Sequence, residues 1–324
     1  MVLIYSSNTD LSTNYVIDWL NYFNVKWHRV NEFEFGKQIK LTLRYGERYE
    51  NDTMLEDDIH LKDFNSIWIR RYSYSTELTF SSDADIGLIQ QILHNLEIER
   101  KSVWQSLNRN SSNKNLLNNF ESVSLSKIKQ LETAILCGLK IPKSLITTKK
   151  SDLLKFFNDN NKSIISKPIE SYSSLVQGES TYTPYTNSIT KGFIDGLSDD
   201  FFPMLFQENI EKEFEVRSFY LNGEFYSMAM FTQNENDTKI DFRIYNKERP
   251  ARRVRFKLHN DIEAKLHKFM LKENLNCGSF DLIAKSNGDL YFLEVNPVGQ
   301  FGMVSYPCNY KLEKRIAEFF KTKN

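Results

Sequence analysis

The sequence predicts an α+β protein built from more than one structural unit. Three observations carry this. Short apolar strands alternate with amphipathic helices in the N-terminal third, a polar Asn- and Ser-rich break follows at Leu107 to Asn119, and strand patterns turning on Asn-Gly pairs dominate the C-terminal half. A chain of 324 residues accommodates two or three units, expected here at 1–110, 111–200 and 201–324.

Val2 to Ser6 reads as a strand, and Ser12 is the expected cap of a helix whose Val16, Trp19, Leu20 and Phe23 share one side. Val25 to Val30 returns as a strand, with further strands at Leu41 to Arg44 and Ser66 to Arg70. A long helix over Asp85 to Trp104 carries Ile89, Ile92, Leu93 and Leu96 on its stripe. Beyond the 107–119 break, expected to be a linker, Ser124 or Ser126 caps a helix that Gly138 and Pro142 end. A strand at Ser144 to Thr147, a helix opened by Ser151 and a strand at Ser163 to Lys167 follow. Ser171 to Asn187, rich in Ser, Thr and Tyr with only Gly178, reads as a lid. Next come a strand at Met204 to Gln207, a hairpin over Glu213 to Met230 turning at Asn222-Gly223, and a strand at Lys239 to Arg243. Helices at Asp261 to Leu271 and Leu312 to Lys321 flank the last hairpin.

Composition narrows the function classes. Lys plus Arg and Asp plus Glu are both 42, so no general nucleic-acid or anionic-membrane surface is expected. Three cysteines without a Cys-x-x-Cys pair argue against a disulfide framework and against zinc, and the five histidines lack ligand spacing. No Gly-x-Ser-x-Gly is present. The N-terminal Met1 to Tyr5 is too short for a signal-peptide core, and no apolar run reaches about 18 residues, so a cytoplasmic location is expected.

The hairpin Gly278 to Asn296 turns at Asn287-Gly288, and pairs counted back from that turn set Asp281 opposite Glu294. Alternation puts Asn296 on the same face. Carboxylates facing each other across a ladder repel. A hard cation between them removes the repulsion, so Asp281, Glu294 and Asn296 are candidate Mg²⁺ ligands, against two acids on a solvated face.

Lys167 ends a strand just before the 171–187 stretch, where an ammonium reaches phosphate oxygens; alone, it reads better as a solvated strand-end lysine. Lys127, early in its helix, is equally plain by itself. Gln207-Glu208-Asn209-Ile210 is a strand exit that offers backbone groups to a purine edge, with Gln207 adding a polar contact. Glu215 and Arg217 share a face of the next strand, suited to ribose and phosphate or to a surface ion pair. Asp241-Phe242-Arg243 follows.

That order of lysine, lysine, Gln-Glu-x-Ile, Glu-Val-Arg, Asp-Phe-Arg, Asp281 and Glu294-x-Asn296 resembles the ATP-grasp superfamily over residues 110–324. Phe292 to Met303, Ser305 to Tyr310 and Leu312-Glu313-Lys314 resemble more closely the graspetide (ω-ester-containing peptide) maturases of the grasp-with-spasm type, related to microviridin ligases. So does Trp68-Ile69-Arg70-Arg71-Tyr72. The resemblance implies an N-terminal α/β domain followed by two lobes clasping ATP. It implies Lys127 and Lys167 on phosphates, Glu208 and Ile210 on adenine, Glu215 near ribose where relatives often carry Asp, and Asp281, Glu294 and Asn296 on Mg²⁺. Arg217 and Arg243 would steady the transferred phosphoryl group or the activated carboxylate.

The expected activity is ATP-dependent activation of Asp or Glu side chains of a ribosomal precursor peptide, captured by Ser or Thr hydroxyls as esters or by Lys amines as amides. As the resemblance implies, a leader segment would be gripped at the Glu213 to Met230 hairpin with the helix from Asp261, Phe219, Tyr220, Phe225 and Tyr226 supplying apolar contacts unless these rings pack the core. A homodimer is among the assemblies this family suggests. The alternatives are an ATP-grasp ligase for free amino acids or small acids, and a catalytically silent nucleotide-binding peptide-recognition protein.

Overall fold

Residues 1–31, 39–46, 49–55, 59–71, 80–81, 85–111, 113–118, 125–170, 175–178, 180–182, 186–231 and 251–322 are described by the computed structural model of the chain. Two units emerge, Met1–Val123 together with Lys311–Asn324, and Ser124–Tyr310. Helices and strands mix throughout, as an α+β fold requires.

In the first unit β1 (Val2–Tyr5), α1 (Leu11–Tyr22), β2 (Trp27–Val30), β3 (Ile39–Tyr45), β4 (Tyr49–Leu55), β5 (Ser66–Ile69), α2 (Ile86–Asn110) and β6 (Asn115–Leu117) follow in order. β1 is apolar at every position and wholly buried, as the centre of a parallel sheet must be; the order is β2-β1-β5-β6. β3 and β4 form a separate hairpin. The helix cap is corrected: Asp10, not Ser12, caps α1, its carboxylate accepting the Ser12 N–H at 3.2 Å while Arg70 Nε lies 3.0 Å from its other oxygen. The 107–119 linker is corrected too. Its first residues continue α2, and Asn115–Leu117 pairs parallel with β5, burying Leu117.

The second unit contains α3 (Lys127–Leu136), β7 (Ser144–Lys149), α4 (Lys150–Asp159), β8 (Ile164–Lys167), β9 (Leu175–Gln177), β10 (Ser180–Tyr182), β11 (Asn187–Ser188), α5 (Lys191–Asp195) and β12 (Asp200–Glu208). It continues through β13 (Phe214–Leu221), β14 (Glu224–Phe231), β15 (Arg252–Phe256), α6 (Asn260–Lys272), β16 (Cys277–Ala284), β17 (Leu290–Asn296) and α7 (Gly302–Cys308). Two antiparallel sheets organise it, a four-stranded β11-β8-β12-β7 and a five-stranded β15-β14-β13-β16-β17. Asn222 and Gly223 turn β13 into β14 with φ of 46° and 103°, the doubly positive pair that a tight hairpin needs. Lys239 to Arg243 lies outside the described residues; β14 pairs with β13 on one side and, on the other, with β15, which the sequence pattern had not marked. Lys149 rather than Ser151 precedes α4.

Beneath the five-stranded sheet, Val216, Tyr220, Phe269, Met270, Phe280 and Phe292 pack with Ala134 of α3 and Leu266 of α6. Burying each large side chain contributes about 1.5–3 kcal/mol, so this cluster holds β13, β16 and β17 in fixed register. Phe219 and Tyr220 are 0% and 2% exposed, so as peptide-gripping rings they are corrected to core residues; Phe225 and Tyr226 are partly exposed. The helix α8 (Leu312–Lys321) returns to the first unit, with Leu312, Ile316, Ala317 and Phe320 fully buried. Among the described residues no helix is long and apolar enough to cross a membrane.

Candidate active site

Asp281 of β16 faces Glu294 of β17, with Asn296 opposite Ser279 one pair further along the same face. The pairing agrees with the sequence reading, but its cause differs. Ala284, not Lys285, pairs with Leu290, so residues 285–289 form the turn and the register starts one residue off. A bulge between Asp281 and Leu282 restores it. A bulge aims side chains beside a site and increases local twist. Here it puts both acids on one face.

The repulsion between the two acids is answered by protein cations. On the adjacent strand β13, Arg217 stands opposite Asp281 and grips it with two bonds, Nε to Oδ1 at 2.7 Å and Nη2 to Oδ2 at 2.8 Å. Lys127 Nζ lies 3.5 Å from Glu294 Oε2 and donates to the Pro168 carbonyl at 3.0 Å. Lys167 ends β8, close enough to Asp281 to favour its charge. Glu215, two residues before Arg217 on the same face, is buried and bonded to Lys212, a partner the sequence gave no reason to single out.

Burial is the largest influence on the titration of Glu215 and Arg217. It pushes the Glu215 carboxyl up against the pull of Lys212. It also works against the charge of Arg217, but Asp281, Glu215 and Glu294 outweigh it and hold the guanidinium more firmly protonated. Arg217 Nη1 completes its contacts on the Met303 sulfur at 2.8 Å, a weak acceptor.

Local structure fixes Asn296 and Glu294 from the outer side. Asn296 Oδ1 accepts the Val298 N–H at 3.1 Å and the Asn296 carbonyl accepts the Gly299 N–H at 3.0 Å. Gly299 has φ of +66°, and a Cβ there would meet Cys277 Sγ and Phe219 Cε2 at 3.0 Å, so only glycine lets this turn lie on the sheet. On edge strand β17, Gln130 of α3 takes the Val295 N–H at 2.7 Å, one helical turn after Lys127. The sequence signal for Gln130 was its i,i+3 spacing from Lys127.

At the exit of β12 the Gln207 side chain is 1% exposed and donates to Ser144 Oγ at 2.8 Å, so it faces the protein. Glu208 differs. Its Oε1 takes the Lys143 N–H at 3.0 Å, a donor that the ladder would otherwise offer to the Glu208 carbonyl. Ile210, half-buried, follows beyond the strand. Arg243 lies outside the described residues, as do parts of the 171–187 stretch. Of that stretch β9 and β10 form a small antiparallel hairpin, Gln177 opposite Ser180.

A divalent cation fits the donors in chemistry: two carboxylates and an amide, all hard oxygen donors. Asn296 Oδ1 retains a second lone pair beside its bond from Val298. No group of three His, Cys, Asp or Glu able to hold a metal occurs among the described residues, so the amide is needed to complete the set.

No family model and no curated protein matches the chain. Solved structures do. The macrocyclase MdnC of Microcystis aeruginosa MRC, bound with precursor peptide MdnA, is 25% identical with a TM-score of 0.81, covering 100% of each chain. A RiPP-associated ATP-grasp ligase of Chryseobacterium gregarium, in complex with ADP and a leader and core peptide, is 20% identical with a TM-score of 0.81 over 99% of this chain and 95% of that one. The ATP-grasp ligase PsnB, complexed with minimal precursor, Mg and ADP, is 14% identical with a TM-score of 0.71 over 100% and 98%. The chain thus has the ATP-grasp fold along its whole length. The resemblance to graspetide maturases related to the microviridin ligases is borne out by the same likenesses.

Proposed function

We propose that this chain is an ATP-dependent peptide ligase that closes rings in a ribosomally made precursor peptide. The observation that carries the reading is the charged row Lys127, Glu294, Asp281, Arg217, held by β13, β16, β17 and α3 in a fold that matches MdnC end to end. The second reading is a ligase for free amino acids or small acids; D-cycloserine synthetase DcsG, 10% identical, matches in fold at a lower TM-score of 0.56.

In this reading Lys127 and Lys167 bind the nucleotide phosphates, and the Glu208 carbonyl with the Ile210 amide reads the adenine edge. Gln207 acts indirectly, by fixing Ser144 beside that exit. Glu215 lies towards the ribose. Asp281, Glu294 and Asn296 would hold Mg²⁺, which when bound neutralises phosphate charge. Arg217 steadies the transferred phosphoryl group through Nη1, the donor that rests on Met303. Arg243 is proposed for the same task.

A precursor Asp or Glu carboxylate attacks the γ-phosphorus, ADP departs, and an acyl phosphate forms. A Ser or Thr hydroxyl, or a Lys amine, then attacks the acyl carbon, losing its proton as phosphate leaves. Water must be kept from the acyl phosphate; the β9-β10 hairpin is proposed as the lid.

A two-lobe division of residues 111–324 belongs to the same proposal, with the 200/201 boundary expected from the sequence moved beyond β12, whose residues 200–208 pair with β7 and β8. So does the homodimer, supported by the exposed stripe Ile92, Leu93 and Leu96 on α2. A cytoplasmic site of action is also proposed. The deciding experiment is a mass spectrum of precursor peptide co-expressed with the enzyme. Loss of one water per ring is expected. Treatment with mild base opens esters and leaves amides closed. An unmodified precursor beside efficient ligation of free amino acids overturns the peptide reading.

A further inference from the structure

Ser279 lies in β16 two residues before Asp281, directly opposite Asn296 on one side and Phe219 on the other. Alternation places its side chain on the face that carries Asp281, Glu294 and Asn296. The residue is 2% exposed, and its Oγ is a buried polar atom without a hydrogen-bond partner among the described residues. Leaving a buried hydroxyl unmet costs about 1–3 kcal/mol. Alanine would fill the same space without that loss.

The surroundings restrict where the missing partner lies. Phe219 offers an apolar ring, and the turn at Gly299 lies tight against Phe219 and Cys277, leaving no space for even a Cβ. The polar neighbours on this face are Asn296, Asp281, Glu294 and Arg217; the guanidinium has only donors, and Asn296 Oδ1 takes the Val298 N–H and keeps one lone pair for a cation. The Ser279 hydroxyl therefore lies on the face from which Asp281, Glu294 and Asn296 would hold a cation.

We propose that Ser279 is a positioning residue of the cation site, donating its hydrogen bond to a water in the hydration shell of a divalent cation held by Asp281, Glu294 and Asn296. The inference rests on the cation reading given above. Mg²⁺ dehydrates reluctantly and keeps several waters, and an outer donor that orders one of them contributes about 10- to 100-fold to metal affinity.

The test uses the full chain with saturating ADP, Mn²⁺ as the probe and electron paramagnetic resonance to count free ion, together with the thermal midpoint of metal-free protein. Ser279→Ala is expected to bind Mn²⁺ about 10-fold more weakly while its metal-free midpoint stays unchanged or rises, because an unmet polar atom has been removed. Unchanged Mn²⁺ affinity, or a lowered metal-free midpoint, overturns the proposal; the second result means the hydroxyl serves the fold. Glu294→Gln separates the two levels. If it binds Mn²⁺ as the wild type does, the cation reading itself fails. If it loses the ion while Ser279→Ala keeps it, the role of Ser279 alone is rejected.

Discussion

Arg217 and Asp281 stand opposite each other on neighbouring strands, and the guanidinium takes both oxygens of the carboxylate, at 2.7 and 2.8 Å. Both side chains are nearly enclosed, at 7% and 16% exposure. The pair therefore belongs to the fold as much as to the chemistry.

Removing one member strands the other. Asp281→Ala should abolish turnover and also lower stability by about 3–5 kcal/mol, the usual penalty for breaking a buried pair from one side. In a denaturation series, Arg217→Met combined with Asp281→Leu should recover most of the stability lost by Asp281→Ala, without recovering activity. A double variant no more stable than the single ones refutes the coupling.

Glu208 should control adenine recognition through the main chain. In Glu208→Ala the Lys143 amide loses its side-chain acceptor and turns to the carbonyl proposed to read adenine. KM for ATP should rise about 10-fold, equivalent to roughly one neutral hydrogen bond at the upper end of its usual range, with kcat little changed. Glu208→Gln keeps an Oε1 acceptor and should restore it. Preference for ATP over GTP should narrow in Glu208→Ala only. Equal KM values for all three proteins would remove Glu208 from recognition.

Asp10 makes the first unit sensitive to acid. Burial alone would raise its pKa, but Arg70, Ser12, Thr13 and Arg71 together hold it below the ordinary 3.8. A depressed carboxyl contributes stability that is present above the unfolded-state value and disappears as pH falls through the folded-state value. Thermal midpoints should therefore drop steeply below about pH 4, and Asp10→Asn should flatten that fall while lowering the midpoint at pH 7. Parallel pH profiles for the two proteins would contradict this.

Processing should depend on a leader segment. Binding energy remote from the reacting residues raises the effective concentration of a flexible core near the activated carboxyl. Leaderless core peptide should be converted poorly, and leader added in trans should restore conversion in part. The contacts are expected at Phe225 and Tyr226, the members of the hairpin set not enclosed in the core. Full-rate cyclisation without leader refutes it.

How far the sequence discloses this site depends on the range of the interactions involved. Alternation and turn chemistry are local, so the shared face of Asp281, Glu294 and Asn296 was legible. The bulge was not, because it offsets a turn error of the same size and leaves the pairing unchanged. Arg217 was visible as a cation near phosphate, but its grip on Asp281 needed β13 to lie beside β16, a contact across 64 residues. β6 was hidden in a polar stretch because a three-residue parallel strand draws its stability from β5 rather than from its own pattern. Gln130 and Lys212 were overlooked for a similar reason: their roles exist only once α3 meets β17 and once Glu215 is buried.

The return of α8 to the unit that opens the chain has a consequence for synthesis. Val16, Leu20 and Trp68 form before the ribosome has made Ile316 or Phe320, whose burial belongs to the same unit. Phe320 lies with its ring 6.2 Å from Trp68, and Lys314 sits over Trp19 at 5.5 Å. The nascent N-terminal unit therefore stays unsealed while Ser124–Tyr310 is translated. Until Leu312–Lys321 is made, the apolar surface that it covers stays open to chaperones.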